Sequence, residues 1–272
     1  YSRASFENTG GSTSVINPFY ISRFMGPIYP VHLHDASGNL VLDQNGNKQY
    51  DFVAMVPLQA QYSIKELKRV KKAIVGGAKV SDKVLIVENL LNIADHIIIG
   101  GGMSYTFYKA QGGHIGQSLC EDERLETCRE ILAKAKEKGV HIHLPQDSTI
   151  ANRFAADAET KVAPSNQIPD GWMGLDIGTE AIAQFRQVLL ASKTILWNGP
   201  MGVFEMKAFE NGTKSVAEAV VEATSNGAFS LIGGGDSAAA VQKFGMSDQV
   251  SYVSTGGGAL LEYFEGKILP GV

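Results

Sequence analysis

The chain has only two cysteines among its 272 residues, no apolar run near the roughly 20 residues of a membrane span, and no excess of positive charge. Each shortage excludes something. Cys120 and Cys128 stand in a stretch that reads as helix, too far apart along it to bridge, so both are expected as reduced thiols of a cytoplasmic protein. A net charge of −4 does not supply the basic stripe of a duplex binder, so no nucleic-acid partner is expected. No membrane contact is expected for residues 61–272. The opening Tyr1–Ser5 leads into a polar stretch without a signal-peptide pattern. No initiator Met stands first, so the chain is expected to begin inside a longer protein. No G-x-x-x-x-G-K-[ST] occurs, which excludes a P-loop. There is no Gly-x-Ser-x-Gly elbow and no evident Cys–His pairing. His32, His34 and Asp35 lack a further ligand group, so no metal site is expected there.

What is abundant is glycine, with 30 residues, in a chain that is 44% hydrophobic and so able to build a core. Residues 1–60 read as a segment apart, irregular or β. Leu40–Gln44 and Lys48–Phe52 flank Asn45-Gly46-Asn47, a hairpin signal. Residues 63–73 are basic and helical in pattern. From Ala73 a regular alternation sets in. Short apolar runs at 73–75, 96–99, 140–144, 194–197, 229–232 and 250–253 have the length of buried parallel strands. Helices are expected at about 81–94, 103–111, 121–138, 178–191, 213–225 and 236–244. In the third, Leu125, Cys128, Ile131, Leu132 and Ala135 share a face, and Gly139 supplies the stop. The expected fold class is α/β, a doubly wound six-stranded parallel sheet of Rossmann-like type over residues 61–272.

Ligands of such sheets bind beyond the carboxyl ends of the strands. Those ends carry Gly76-Gly77, Gly100-Gly101-Gly102, Gly199 with Gly202, Gly233-Gly234-Gly235 and Gly256-Gly257-Gly258. Glycines there are expected to let backbone N–H groups approach a polyphosphate, with helix N-termini adding positive dipole. Lys79 and Lys83, four apart, are expected to face the same way and reach phosphate oxygens. Asp236 is a candidate Mg²⁺ ligand or, competing for the same oxygens, an N-cap. Glu205 is a candidate ribose partner. His141 and His143 read as packed or edge histidines. Gly233-x-Gly235-x-x-Ala238 fits the loose dinucleotide fingerprint, but the next strand ends in Ser254-Thr255-Gly256 with no acidic residue for ribose, which argues against a nicotinamide cofactor.

From Ala73 to Val272 the chain resembles the C-terminal, nucleotide-binding domain of the phosphoglycerate kinase family. The resemblance rests on GGAKVSDK (76–83), ENLL and IIIGGGM (88–91, 97–103), IPDGWMGLDIG (168–178), WNGPMGVFE (197–205), IGGGDSAAA (232–240) and STGGGALLEYFEGKILPGV (254–272). It implies that Lys79 and Lys83 contact nucleotide phosphates. It implies that Gly77, Ala78, Gly101 and Gly102 line the adenine site beside Leu175, and that Asn198, Pro200 and Val203 shape the floor. Glu205 would bind ribose, Gly235, Asp236 and Ser237 would serve Mg-ATP or Mg-ADP, and Gly256, Gly257 and Gly258 would cradle the transferred phosphoryl group.

Three departures accompany it. The N-terminal domain that carries the family's basic patch for 3-phosphoglycerate is not recognisable, so the chain is expected to turn over poorly alone. Residues 1–52 instead resemble a segment of TonB-linked outer-membrane receptors, through NPFYISRFMGPIYPVHLHD and NGNKQYDF. The alternative is therefore a non-catalytic composite with a receptor segment. The family's C-terminal tail is also expected to be cut at Val272.

Overall fold

A computed structural model of the protein describes residues 2–4, 28–32, 50–54 and 72–254. The chain divides into one compact unit over Tyr1–Lys65 with Gly271, and a second over Glu66–Pro270 with Val272. In the first, β1 (Ser2–Ala4), β2 (Ile28–His32) and β3 (Tyr50–Ala54) form an antiparallel sheet in the order β1-β3-β2. The expected hairpin of 40–44 with 48–52 lies, apart from Tyr50–Phe52 of β3, outside the described residues. So do residues 63–71 of the expected basic helix.

The second unit begins with β4 (Lys72–Val75), α1 (Val84–Leu90), β5 (His96–Ile99), α2 (Met103–Ala110), β6 (His114–Ile115), α3 (Leu125–Lys138) and β7 (His141–His143). It continues through β8 (Asp147–Ala151), β9 (Thr160–Pro164), β10 (Gln167–Ile168), β11 (Met173–Ile177), α4 (Thr179–Leu190), β12 (Thr194–Asn198), α5 (Asn211–Ser225), β13 (Phe229–Gly233), α6 (Gly235–Lys243) and β14 (Tyr252–Val253). Six strands make one parallel sheet in the order β7-β5-β4-β12-β13-β14. Strand order reverses between β4 and β12, and a crevice at that point is where open α/β sheets bind ligands.

The apolar runs are continuous because both faces of the sheet are covered. Successive side chains alternate between the faces. Ala73, Val75, Ile97 and Ile99 pack on one side with Ile86 and Leu90 of α1, Phe107 of α2 and Ile131 of α3. Ile74, Ile98, Ile195 and Trp197 pack on the other with Phe185 and Leu189 of α4 and Val216 and Val220 of α5. Gly139 ends α3 at φ 70°, in the left-handed region. Among the described residues, no helix is long and apolar enough to cross a membrane.

The structure differs from the expectation in three places. The first helix is shorter than 81–94, because residues 81–83 form the turn that precedes it. The third starts at Leu125, after a 3₁₀ turn at Asp122–Arg124, so Cys120 stands before the helix; both cysteines are free. The antiparallel sheet β9-β8-β11 was not foreseen. The polar run of β8, Asp147-Ser148-Thr149, hides its buried character, since each polar group is satisfied inside. Asp147 accepts hydrogen bonds from the N–H groups of Glu180 (3.2 Å) and Ala181 (2.8 Å) and so caps α4. Ser148 bonds Tyr105 and Ser165.

Far from the glycine turns, three histidines line the edge of the sheet where β7 lies. His96 Nδ1 is 2.9 Å from His143 Nε2, and the His96 ring stacks on those of His141 and His143. Burial first, then the neighbouring histidines and Lys72, pushes His143 down to about 4. Burial and Lys72 also lower His96, with Asp95 opposing them. The folded chain thus keeps rings neutral that the unfolded chain protonates at about 6.5. Their contribution is intact above that pH and is lost as pH falls toward 4. The expected loss is on the order of 1 kcal/mol, after allowance for solvent screening. Thermal midpoints from pH 7 to 4.5 should fall less for His143→Gln than for the parent; parallel curves would exclude the histidine cluster as the source.

Candidate functional site

At the reversal between β4 and β12 lies a cavity of about 470 Å³. Gly77 and Ala78 follow β4, and Gly101 and Gly102 follow β5. Leu175 enters from β11, while Pro200, Val203 and Glu205 come from the loop after β12, and Asp236 from α6. These nine were among the candidates read from the sequence, and the fold places them on one cavity.

The glycines play a different part from the expected one. The Gly76 N–H donates to the Asn198 carbonyl (2.8 Å), Gly77 to Pro200 (3.1 Å), Gly100 to Val75 (3.0 Å) and Gly101 to Met201 (3.1 Å). Their amides are committed within the protein and do not face a ligand. What they provide is close approach of one turn to another. A methyl group on Gly76 would lie 2.1 Å from the Pro200 carbonyl oxygen, and one on Gly199 would lie 2.1 Å from that of Gly76. The floor of the cavity is thus interlocked backbone.

The turn after β13 is the exception. Gly234, at φ 89°, precedes α6, a helix of nine residues whose N-terminus has no side-chain cap. Asp236 is the second residue of this helix and is exposed, so the N-cap role considered from the sequence is not the one it takes. An uncapped helix N-terminus presents N–H groups and positive dipole to an anion. Beside it, buried Asn198 accepts a hydrogen bond from Lys83 Nζ at 2.5 Å. Among the described residues, the Asn198 Nδ2 has no partner. It faces the same turn, since a methyl group on Gly234 would lie 2.9 Å from it. A buried amide donor without an acceptor costs about 1–3 kcal/mol, and an anion bound there would remove that cost.

The two lysines stand in different surroundings. Lys83 is half-buried against Asn198, whereas Lys79 is exposed and lies by Glu121. Burial works against the Glu121 charge, but hydrogen bonds from the Ser81 hydroxyl and N–H, with Lys79 nearby, hold its carboxyl below the usual range. Ser237 is buried, and its hydroxyl accepts from the Gly199 N–H at 2.5 Å, so it braces the floor. Gly235 opens α6 with open space around its Cα. Gly256, Gly257 and Gly258 lie outside the described residues.

Sequence reasoning missed the wall opposite the floor. Leu119, Phe154 and Met173 line the cavity, and Phe154 is 61% exposed. They sit on irregular chain or on the antiparallel sheet, where no periodicity marked them. Met173 stands within the block IPDGWMGLDIG, and nothing in the residues around Leu119 or Phe154 marked them.

Fold and site together define a doubly wound α/β protein whose ligand crevice lies at the switch point of its sheet, with an apolar wall and an anion-receptive helix terminus. The family model "Phosphoglycerate kinase" matches residues 58–267. This chain belongs to the phosphoglycerate kinase family. It is 52% identical over 256 residues to phosphoglycerate kinase of Porphyromonas gingivalis, covering 93% of this chain and 60% of that protein. That match extends into the first sixty residues. Against cytosolic phosphoglycerate kinase 3 of Arabidopsis thaliana it is 54% identical over 200 residues, covering 74% and 50% of the two chains. The solved phosphoglycerate kinase of Coxiella burnetii superposes with a TM-score of 0.72 at 42% identity, over 76% of this chain and 56% of the other. The chain thus spans about half to three fifths of the relatives it matches.

Proposed function

We propose that residues 61–272 form the Mg-nucleotide half of a phosphoglycerate kinase, a cytoplasmic phosphotransferase that moves a phosphoryl group between ATP and 3-phosphoglycerate. The carrying observation is the apolar-walled cavity that ends at an uncapped helix N-terminus, with an unpartnered buried amide and a lysine beside it. The adenine ring would lie between the Gly77–Ala78 and Gly101–Gly102 turns and the Leu175 wall, and Glu205 would take ribose hydroxyls. The α6 N–H groups, Asn198 Nδ2 and Lys83 would receive phosphate oxygens and hold them in line for transfer. Positioning and charge neutralisation of this kind carry most of the catalysis in phosphoryl transfer. A Mg²⁺ ion bound with the nucleotide would supply neutralisation of the phosphate charge. Asp236, exposed on the cavity rim, would be the carboxylate that holds it. No group of three or more His, Cys, Asp or Glu side chains fit for a metal occurs among the described residues. The ion would accordingly be held largely by the phosphates, as is usual for Mg²⁺. Gly256, Gly257 and Gly258 would cradle the group in flight.

In the family resemblance the 3-phosphoglycerate site belongs to the other domain, so the chain alone should bind nucleotide and turn over slowly. Calorimetry with Mg-ADP tests the binding: heat is expected, and none at millimolar nucleotide from a folded sample would overturn the proposal. The non-catalytic reading built on the receptor resemblance of residues 1–52 has no structural observation in its favour.

A further inference from the structure

Behind the cavity wall, Asp176 follows Leu175 on β11 and is 2% exposed. Its Oδ2 accepts a hydrogen bond from the Gly212 N–H at 2.7 Å, in the first turn of α5. Among the described residues, its Oδ1 has no hydrogen-bond partner. A methyl group on Gly202, in the loop after β12, would lie 2.2 Å from Oδ1, and one on Gly212 would lie equally close. The carboxyl is therefore wedged between two glycines, one in the loop that floors the cavity and one at the start of α5. The same loop has two further ties. The Val203 N–H donates to the Leu175 carbonyl at 2.8 Å, and the Met201 N–H to Thr213 Oγ1 at 3.1 Å.

We propose that Asp176 is a positioning residue for the nucleotide cavity, its carboxyl seating the loop that carries Pro200, Val203 and Glu205 against β11 and α5. The inference rests on the nucleotide reading above. Burial pushes the Asp176 carboxyl up to about 7, against the pull of the Gly212 and Ile177 N–H groups. Among the described residues, the surrounding elements bring no cation to it. β8 places Thr149 opposite it in the ladder, α5 offers Gly212 and Thr213, and α2 brings the phenol of Tyr105, which burial and this carboxylate push up. Ionisation then places a charge with one unsatisfied oxygen in a closed space. The relief open to it is separation of the loop from β11, which admits water. The seated loop is thus the form favoured below about pH 7, and it loosens as pH rises through that value.

The test uses amide hydrogen exchange at Val203 and Met201 in the ligand-free protein from pH 6 to 8.5, referred at each pH to Ile97, which cancels the intrinsic pH dependence. Mg-ADP affinity is measured over the same range. In the parent, relative protection and affinity should each fall at least about fivefold. In Asp176→Asn, which keeps the shape without the charge, both should stay flat. A parent whose Val203 protection is constant through pH 7 overturns the proposal even if the variant does not fold. A variant that retains the parent's pH profile overturns it as well. A loop response as expected with no Mg-ADP heat at any pH leaves the seating role standing and overturns the nucleotide reading instead.

Discussion

Gly76→Ala is expected to destabilise the protein by about 3 kcal/mol or more and to remove Mg-ADP binding in whatever fraction stays folded. The reason is geometric. The added methyl would lie 2.1 Å from the Pro200 carbonyl oxygen and 2.5 Å from that of Gly199. Both obstacles are backbone, fixed by the bond from the Gly76 N–H to the Asn198 carbonyl and by the buried strands behind it. No side chain can rotate away, so β4 and β12 must part at the floor of the cavity. Gly112→Ala is the control. Its φ of 86° is unfavourable for alanine, yet nothing lies within 4 Å of the added atom. It should therefore cost only about 1 kcal/mol, the price of the backbone conformation alone. Urea unfolding of both variants gives the comparison, and equal losses would show that interlocking is not what Gly76 provides.

Lys83→Ala should weaken Mg-ADP binding by about 10- to 100-fold, which corresponds to the loss of a charge-assisted hydrogen bond to phosphate. It should also lower stability modestly, because buried Asn198 Oδ1 loses its donor. Lys79→Ala should change affinity little, since that side chain is exposed beside Glu121, whereas Lys83 is half-buried and bonds Asn198. Calorimetry on the two variants separates a phosphate site centred on α6 from one spread along the turn after β4. Similar losses in both would restore the paired-lysine site that the four-residue spacing suggests.

That contrast also marks how far the sequence could be read. The six parallel strands were legible because burial on both faces leaves an unbroken apolar run such as Ile97-Ile98-Ile99. α3 was legible through Cys128, Ile131 and Ala135 at helical spacing and the glycine that ends it. The antiparallel strands were not. Asp147 and Ser148 are buried yet polar, and only their partners in α4, Tyr105 and Ser165 make that tolerable. The positions of the site glycines were legible, but their purpose was not. A glycine that frees an N–H for an anion and one that lets two carbonyl-bearing turns touch look alike until the neighbouring strand is in place. Asp176 offered no signal, since an acid after a leucine in a glycine-rich stretch reads as an ordinary turn.

The interlocked floor also bears on how base preference could be changed. Main-chain atoms are the same whatever side chains a sequence carries, so exchanges elsewhere cannot reshape the surface on which the ring would rest. Under the proposed nucleotide reading, selectivity among purines would fall to the side chains that line the cavity, Leu119, Phe154, Met173 and Leu175 among them. Altered nucleotide choice in a variant should therefore trace to side chains of this lining, with the glycine turns intact.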